Sequence, residues 1–196
     1  NNKPVLIGGT SDRGVVASCS YEARKYGVHS AMPMRMAKQL CPEAIVLRGN
    51  SGIYTKYSKL VTDVVKDSVP LYEKSSIDEF YIDLTGMDKF YGCHQLASEL
   101  RQRIISETGL PISFGLSVNK TVSKIATGEA KPNNEIKIYK GTEIPFLAPL
   151  SVRKIPMVGE NTYNSLCDLG IKRIKTVQEM PIEMMSRVFG KNGAVI

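Results

Sequence analysis

Two adjacent acids lie next to an apolar run within residues 74–84, and this stretch restricts the fold more than any other. Apolar side chains occupy every second position from Phe80 to Leu84, which is the period of a half-buried strand. Asp78 and Glu79 come directly before it, so we predict a buried β-hairpin with both acids in its turn. Buried neighbouring carboxylates repel and lose hydration unless a cation or several hydrogen-bond donors offset that cost. A hard divalent ion bound through oxygen would do so. The alternative is a solvated turn with acids at its tip.

The charge balance indicates an anionic partner. The 196 residues contain 26 Lys and Arg against 19 Asp and Glu, a formal net charge of +7. Basic chains of this kind are typical of nucleic-acid binding, although a basic solvated surface would have the same composition. A hydrophobic content of 42% is enough for ordinary buried cores.

The cysteines and histidines indicate neither zinc nor a disulfide framework. No two of the four cysteines form a C-x-x-C pair; they are Cys19, Cys41, Cys93 and Cys167. The two histidines, His29 and His94, are far apart in sequence. This pattern favours a reducing, cytoplasmic location. The sequence contains no apolar run of membrane-spanning length and no signal peptide before its first residue, so no membrane association is predicted.

The opening segment predicts a hairpin followed by a helix. Short β-prone runs separated by turn formers give a hairpin over residues 4–19. Ser20 can cap the following helix, and Tyr21 and Arg24 share one of its faces. A hydroxyl, a phenol and a guanidinium at the positive end of a helix could bind a triphosphate. A capped surface helix would have the same sequence. Another helix is predicted over residues 33–41.

The central segment alternates helical and strand patterns. We predict a helix over residues 54–69, the carboxylate hairpin over 74–84, a helix over 94–108 and a strand over 112–116. A helix capped by Asn119 follows over 120–130, and a closing strand over 136–139. The helix, the two strands of the hairpin, the next helix and the next strand lack only a first strand, upstream of the first residue, to be a ferredoxin-like βαββαβ unit. Lys120 and Lys124 lie one helical turn apart and could contact DNA phosphate; a solvated helix face is the equal alternative.

Three motifs, in order, resemble the Y-family translesion DNA polymerases: YEARKYG at residues 21–27, AMP at 31–33 and SIDEFYID at 76–83. The resemblance extends over nearly the whole chain and is strongest to the DinB branch. It implies an α+β fold with a ferredoxin-like palm, a small fingers segment and an all-helical thumb containing a helix-hairpin-helix. The expected domains are 1–50 (fingers), 51–139 (palm) and 140–196 (truncated thumb). The first palm strand and the C-terminal little finger would be missing.

The resemblance also implies the functional residues of the palm and fingers. Asp78 and Glu79, with a carboxylate on the missing first strand, would hold two Mg²⁺ ions and form the catalytic site. Ser18, Tyr21, Arg24 and Lys131 would bind the triphosphate of a dNTP. The family often has Gly where Asn134 stands; Asn tolerates a left-handed backbone, so we expect the turn to be kept.

The basic end resembles the helix-hairpin-helix of the polymerase thumb. A helix is predicted from residue 152, then a tight turn, then a helix over residues 162–169. The backbone N–H groups of Val158 and Gly159 would bind a DNA phosphate. The usual turn is Pro-Gly-apolar-Gly, and Met157 replaces the first Gly. A plain αα-hairpin is the alternative.

The resemblance predicts a template-directed DNA polymerase that bypasses lesions, lacks proofreading and uses two metal ions to join a dNTP to a primer 3′-hydroxyl. Its expected partners are primer-template DNA and dNTPs, and a sliding clamp would bind through a missing C-terminal region. It would be a monomer. The chain alone is expected to be inactive. Two alternatives remain: a nucleotide cyclase with a palm-like domain, and a non-catalytic DNA-binding fragment.

Overall fold

The computed structural model describes residues 3–89, 92–194 and 196. It divides into two compact units, residues 1–57 and residues 58–196. The boundary lies within α3 (Ser51–Ser68), a helix that begins three residues before its predicted start. The predicted domain boundaries at residues 50 and 139 stay predictions.

The first unit contains a three-stranded sheet and two short helices. β1 (Val5–Gly8) and β2 (Val16–Cys19) pair antiparallel, which confirms the predicted hairpin. β3 (Ile45–Leu47) was not predicted; it pairs parallel to β1, so the strand order is β2-β1-β3. The helices are α1 (Tyr21–Arg24) and α2 (Met34–Leu40), the second as predicted.

The core of the first unit is formed by apolar residues from β1, β2 and both helices. Leu6, Val16, Ala23, Met34 and Ala37 are all 0% exposed. Because α1 contributes a core residue, its outer face is held in place by packing as well as by its cap.

The second unit begins with two separate two-stranded sheets. β4 (Tyr72–Lys74) and β5 (Phe80–Ile82) pair antiparallel, whereas β6 (Phe114–Leu116) and β7 (Glu135–Lys137) pair parallel. The elements follow the predicted order, although the closing strand ends two residues earlier than predicted. These mixed helices and sheets confirm the α+β class.

Two helices of the second unit share a hydrophobic core with both of its sheets. Val65 of α3 and Ile104 of α4 (Cys93–Thr108) are buried, and Phe80 and Leu116 pack against the same cluster. α4 ends, as predicted, at Gly109, whose φ of 70° is the left-handed conformation that glycine adopts easily.

The helix α5 (Lys120–Ala130) lies directly on β6. A Cβ placed on Gly115 would be 2.5 Å from both the Ala126 Cβ atom and the Ser123 carbonyl oxygen. The Gly115 amide also donates a 2.8 Å hydrogen bond to Thr127 Oγ1. Glycine at this position therefore sets how closely α5, with its lysines, approaches the sheet.

The elements described after β7 are all helical. They are α6 (Glu143–Leu147), a 3₁₀ turn (Val152–Lys154), α7 (Glu160–Asp168), α8 (Ile174–Glu179), α9 (Ile182–Phe189) and a second 3₁₀ turn (Gly190–Ala194). The helix predicted from residue 152 is only a 3₁₀ turn, because Pro156 disfavours the helical conformation of Ile155, which is extended. α6, α8 and α9 were not predicted.

The helical elements after β7 enclose a cluster of their own. Val152, Leu166, Ile171, Ile174 and Met185 are buried together. Among the described residues, no helix has both the length and the apolar composition needed to cross a bilayer.

Candidate functional site

The turn between β4 and β5 carries the two predicted metal-binding acids. The amides of Ser75 and Ser76 donate hydrogen bonds of 3.0 and 3.3 Å to the Glu79 carbonyl oxygen. Asp78 is exposed, and its Oδ1 accepts a hydrogen bond of 2.8 Å from Ser76 Oγ. These hydrogen bonds order the backbone of the turn and the Asp78 carboxylate.

The prediction that this hairpin is buried is wrong for its turn. The last cross-strand pair is Lys74 opposite Phe80, and residues 75–79 extend beyond it. Ile77, the apolar residue directly before Asp78, is 52% exposed. Only the strand residues pack on the core, so the carboxylates keep access to solvent and to ligands.

Helix α3 holds the carboxylate turn through two residues that sequence analysis missed. Ser58 is buried, and its Oγ donates to the Ile77 carbonyl oxygen (2.5 Å), one residue before Asp78. Lys74 Nζ donates to Ser58 Oγ (2.8 Å) and to Thr62 Oγ1 (2.9 Å). Ser58 and Thr62 are four residues apart on a helix, which is the sequence pattern that could have indicated a shared polar face.

Helix α5 also holds this hairpin. Lys124 Nζ is 2.6 Å from Glu79 Oε2, and this hydrogen bond raises the pKa of Lys124 above its ordinary value. Lys120 pairs with Glu73, and its Nζ lies 5.3 Å from the centre of the Tyr81 ring. Both lysines that were predicted to contact DNA phosphate are therefore bonded to acids of the hairpin.

Lys131, the predicted triphosphate residue, lies directly after the last residue of α5. Its side chain is exposed and its backbone is extended, with φ −69° and ψ 142°. The residue with a left-handed backbone in the following loop is Asn133, with φ 45°, and not Asn134 as predicted. The loop keeps its turn, but the asparagine that forms it is one position earlier.

In the first unit, the predicted triphosphate residues lie on β2 and α1. Ser20 Oγ accepts hydrogen bonds from the amides of Val5 (3.0 Å) and Ala23 (3.3 Å), which confirms the predicted cap and ties α1 to β1. Tyr21 and Arg24 are both exposed, and the Arg24 guanidinium lies 5.7 Å from the centre of the Tyr21 ring. Ser18 is also exposed, on β2. The phenol and the guanidinium thus meet on one surface.

The chemistry of the carboxylate turn fits a magnesium ion. Within residues 3–89, 92–194 and 196, no group of three or more His, Cys, Asp or Glu could hold a metal ion. Asp78 and Glu79 supply carboxylate oxygens, and Mg²⁺ sites commonly combine one or two carboxylates with water and substrate phosphates. Asp78 is exposed and accepts its hydrogen bond from a neutral hydroxyl, so a cation would not compete with an ion pair there.

The turn at residues 155–159 contains the amides that were predicted to bind DNA phosphate. Val158 N donates to the Ile155 carbonyl oxygen (3.2 Å), and Gly159 N donates to the Met157 carbonyl oxygen (3.1 Å). Both amides are therefore used within the turn. Met157 has φ 73° and is 87% exposed, so this backbone keeps the left-handed conformation that glycine would favour.

The sequence profile described as the impB/mucB/samB family matches residues 1–128. This chain belongs to the impB/mucB/samB family. The family assignment confirms the resemblance to Y-family polymerases that the three motifs indicated.

Individual members and solved structures agree with the family assignment. A DNA polymerase IV of Dehalococcoides mccartyi is 40% identical over 191 residues, which are 96% of this chain and 49% of the relative. The crystal structure of DinB from Sulfolobus solfataricus matches 98% of this chain and 57% of its own, with a TM-score of 0.87 and 30% identity. The insertion ternary complex of Dbh DNA polymerase matches 98% of this chain and 58% of its own, with a TM-score of 0.85 and 30% identity.

The chain spans about half the length of the curated relatives it matches, with 49% of the Dehalococcoides protein covered. What these longer proteins do as a whole is therefore a proposal for this chain.

Proposed function

We propose that a polypeptide containing this chain is a template-directed DNA polymerase of the lesion-bypass type, which transfers a nucleotide from a dNTP to a primer 3′-hydroxyl. The observation that carries the proposal is the pair of carboxylates on an exposed turn, Asp78 and Glu79, fixed by hydrogen bonds from α3 and α5. Membership of the impB/mucB/samB family supports this chemistry.

Asp78 and Glu79 are the catalytic residues of this proposal and would hold Mg²⁺. When bound there, magnesium would stabilise the charge that develops on the phosphates of the dNTP. Asp78 offers its carboxylate to solvent, whereas Glu79 is oriented by Lys124. The family resemblance implies a third carboxylate and a second ion, so we expect the chain by itself to lack activity.

The family resemblance assigns the binding of the dNTP triphosphate to Ser18, Tyr21, Arg24 and Lys131. Tyr21 and Arg24 offer a phenol and a guanidinium on one exposed surface, and Ser18 adds a hydroxyl on β2. Lys131 offers an ammonium at the end of α5. Guanidinium and ammonium groups are the usual partners of phosphate in proteins.

Residues 152–168 would contact the DNA backbone as the helix-hairpin-helix of a thumb. Binding through the amides of Val158 and Gly159 requires them to share or exchange their hydrogen bonds within the turn. Lys120 and Lys124 would contact phosphate only by leaving Glu73 and Glu79, so their main role is to neutralise the hairpin. Primer-template DNA and dNTPs are thus the proposed partners, and a sliding clamp is a further one. The proposed oligomeric state is a monomer.

Primer extension by the full-length polypeptide that carries this chain tests the proposal. Asp78→Ala should reduce the rate of templated incorporation by about 10³-fold or more, because losing a metal ligand removes several kcal/mol of transition-state stabilisation. Its affinity for primer-template DNA should stay within a few-fold of the unmodified protein.

Asp83→Asn is the matched control for this experiment. Asp83 lies beyond the other end of β5, where its Oδ1 accepts a hydrogen bond from the Thr85 amide (2.9 Å), and asparagine keeps an oxygen acceptor there. The control should extend primers normally. Normal extension by folded Asp78→Ala would refute the assignment, and consumption of a nucleoside triphosphate without any primer would support a cyclase instead.

A further inference from the structure

One face of α4 carries three polar residues directed at the β6–β7 sheet. His94, Ser98 and Arg101 follow the spacing i, i+4, i+7, which places them along one side of a helix. Ser98 Oγ donates to Glu135 Oε1 (2.6 Å), and His94 Nε2 lies 3.4 Å from the same oxygen. Glu135 is the first residue of β7, so this face of α4 reaches the strand that follows the Lys131 loop.

Arg101 extends these contacts into the loop itself. Its Nε donates to the Ile112 carbonyl oxygen (2.9 Å), and its Nη2 donates to the carbonyl oxygen (2.7 Å) and Oδ1 (2.8 Å) of Asn133. Its Nη1 lies 3.8 Å from Glu135 Oε2. The side chain is only 15% exposed. The guanidinium therefore connects α4, the segment entering β6 and the loop between α5 and β7.

These contacts distinguish Arg101 from Arg24 and Lys131, the exposed basic residues that were predicted to bind the triphosphate. A mostly buried guanidinium with its nitrogens directed at protein oxygens is not available to a phosphate. Its bonds instead hold Asn133, whose left-handed φ of 45° is uncommon for a residue other than glycine. Asn134 N adds a 3.2 Å hydrogen bond to Ser113 Oγ.

Lys131 lies two residues before Asn133, between the last turn of α5 and the residue pair that Arg101 and Ser113 hold. When the backbone that carries a phosphate-binding side chain is mobile, binding must also order that backbone. The conformational entropy lost in this way lowers the affinity for the triphosphate. Before β7 begins at Glu135, the backbone of the loop is bonded to β6 at Asn134, whose carbonyl oxygen accepts a 3.3 Å hydrogen bond from the Phe114 amide. Its conformation thus depends on the hydrogen bonds from outside it.

We propose that Arg101 is a positioning residue for nucleotide binding: it fixes the loop of residues 131–134 so that the Lys131 ammonium meets the triphosphate. The inference rests on the proposed function, since it uses the role of Lys131. A purely structural Arg101 would stabilise the fold without a specific link to that lysine.

A double-mutant cycle in the full-length polypeptide separates these two roles. Arg101→Gln should raise the KM for dNTP about three- to tenfold, with kcat and primer-template affinity changed less than twofold. Lys131→Ala should raise the same KM. In the double variant the KM should equal that of Lys131→Ala alone, because a loop without its lysine gains nothing from being held.

Arg103→Gln is the matched control on the same helix. Arg103 is 43% exposed and bonded to Glu107 and Ser68, away from the loop. It should leave the KM unchanged. Arg101→Lys keeps the charge, but its single ammonium cannot replace the guanidinium fork that bonds two residues. The KM for dNTP should therefore rise in this variant too. Arg101→Lys is the test variant if Arg101→Gln does not fold.

Three results would overturn the inference. The first is an unchanged KM in folded Arg101→Gln and Arg101→Lys, while Lys131→Ala raises it; this leaves the proposed function intact. The second is full additivity in the double variant, which would make Arg101 a structural residue only. The third is an unchanged KM in Lys131→Ala, which would remove the triphosphate role of that lysine and the inference with it.

Discussion

Replacing Gly115 by alanine tests the close approach of α5 to β6, on which the position of Lys124 depends. A Cβ on Gly115 would be 2.5 Å from the Ser123 carbonyl oxygen and 2.6 Å from the Thr127 amide nitrogen. These are backbone atoms of α5, so no side-chain rotation can relieve the contact. The helix must move away from the strand by several tenths of an ångström or more.

The cost of Gly115→Ala follows from this geometry. Overpacking a well-packed contact costs about 1–3 kcal/mol. Moving α5 outward also weakens the hydrogen bond from the Gly115 amide to Thr127 Oγ1, at about 0.5–1.5 kcal/mol. We therefore expect a loss of about 2–4 kcal/mol in the free energy of unfolding. At about 2–4 °C per kcal/mol for a domain of this size, Tm should fall by roughly 4–16 °C.

Gly128→Ala provides the matched control for this prediction. Gly128 lies in the same helix, and a Cβ there would meet nothing within 4 Å. This substitution should raise the free energy of unfolding by about 0.5–1 kcal/mol, because alanine is the better helix former. Denaturant or thermal unfolding of both purified variants measures the difference. A change below about 0.5 kcal/mol for Gly115→Ala would refute the close contact between α5 and β6.

Two further predictions concern a cap and a strained turn. Asp88 Oδ1 accepts a hydrogen bond from the Cys93 amide at the start of α4 (3.0 Å), and this bond lowers the pKa of Asp88. The stability that this bond contributes is present above the unfolded pKa of about 4 and is lost as the pH falls through the lower folded pKa. The Tm of Asp88→Asn should therefore change less between pH 2 and 6 than the Tm of the unmodified protein. Parallel curves of Tm against pH for the two proteins would contradict this. Met157 has φ 73°, which costs a non-glycine residue about 1–2 kcal/mol, so Met157→Gly should not lower the free energy of unfolding. Met184→Gly in α9 should cost about 1 kcal/mol, and an equal loss for both glycine variants by denaturant unfolding would show that the turn is not strained.

Much of the local structure could be predicted because it depends on neighbouring residues. Asn119 and Ser20 cap their helices as predicted, and α4 ends at Gly109 as predicted. Caps and left-handed helix ends are interactions within a few residues, so their sequence patterns are sufficient. The order of strands and helices around the carboxylate turn follows from the same kind of pattern.

The predictions that were wrong concern exposure and individual backbone angles. The carboxylate hairpin was expected to be buried, yet its strands pair only as far as Lys74 and Phe80 and leave Ile77 of the turn exposed. The left-handed residue of the Lys131 loop is Asn133 and not Asn134, since hydrogen bonds from a distant arginine select the conformation.

The sequence by itself determined the family, the adjacent acids and the helices and strands near them, because these depend on residue order and short-range periodicity. Only the tertiary structure decided which charges meet. Lys124 and Glu79 are 45 residues apart in sequence, and Arg101 and Asn133 are 32 apart. Such pairs form when packing brings two elements together in one register, and no local pattern records that register. Two lysines that the sequence assigned to DNA therefore hold the acidic hairpin, and an arginine it did not single out holds the loop of Lys131.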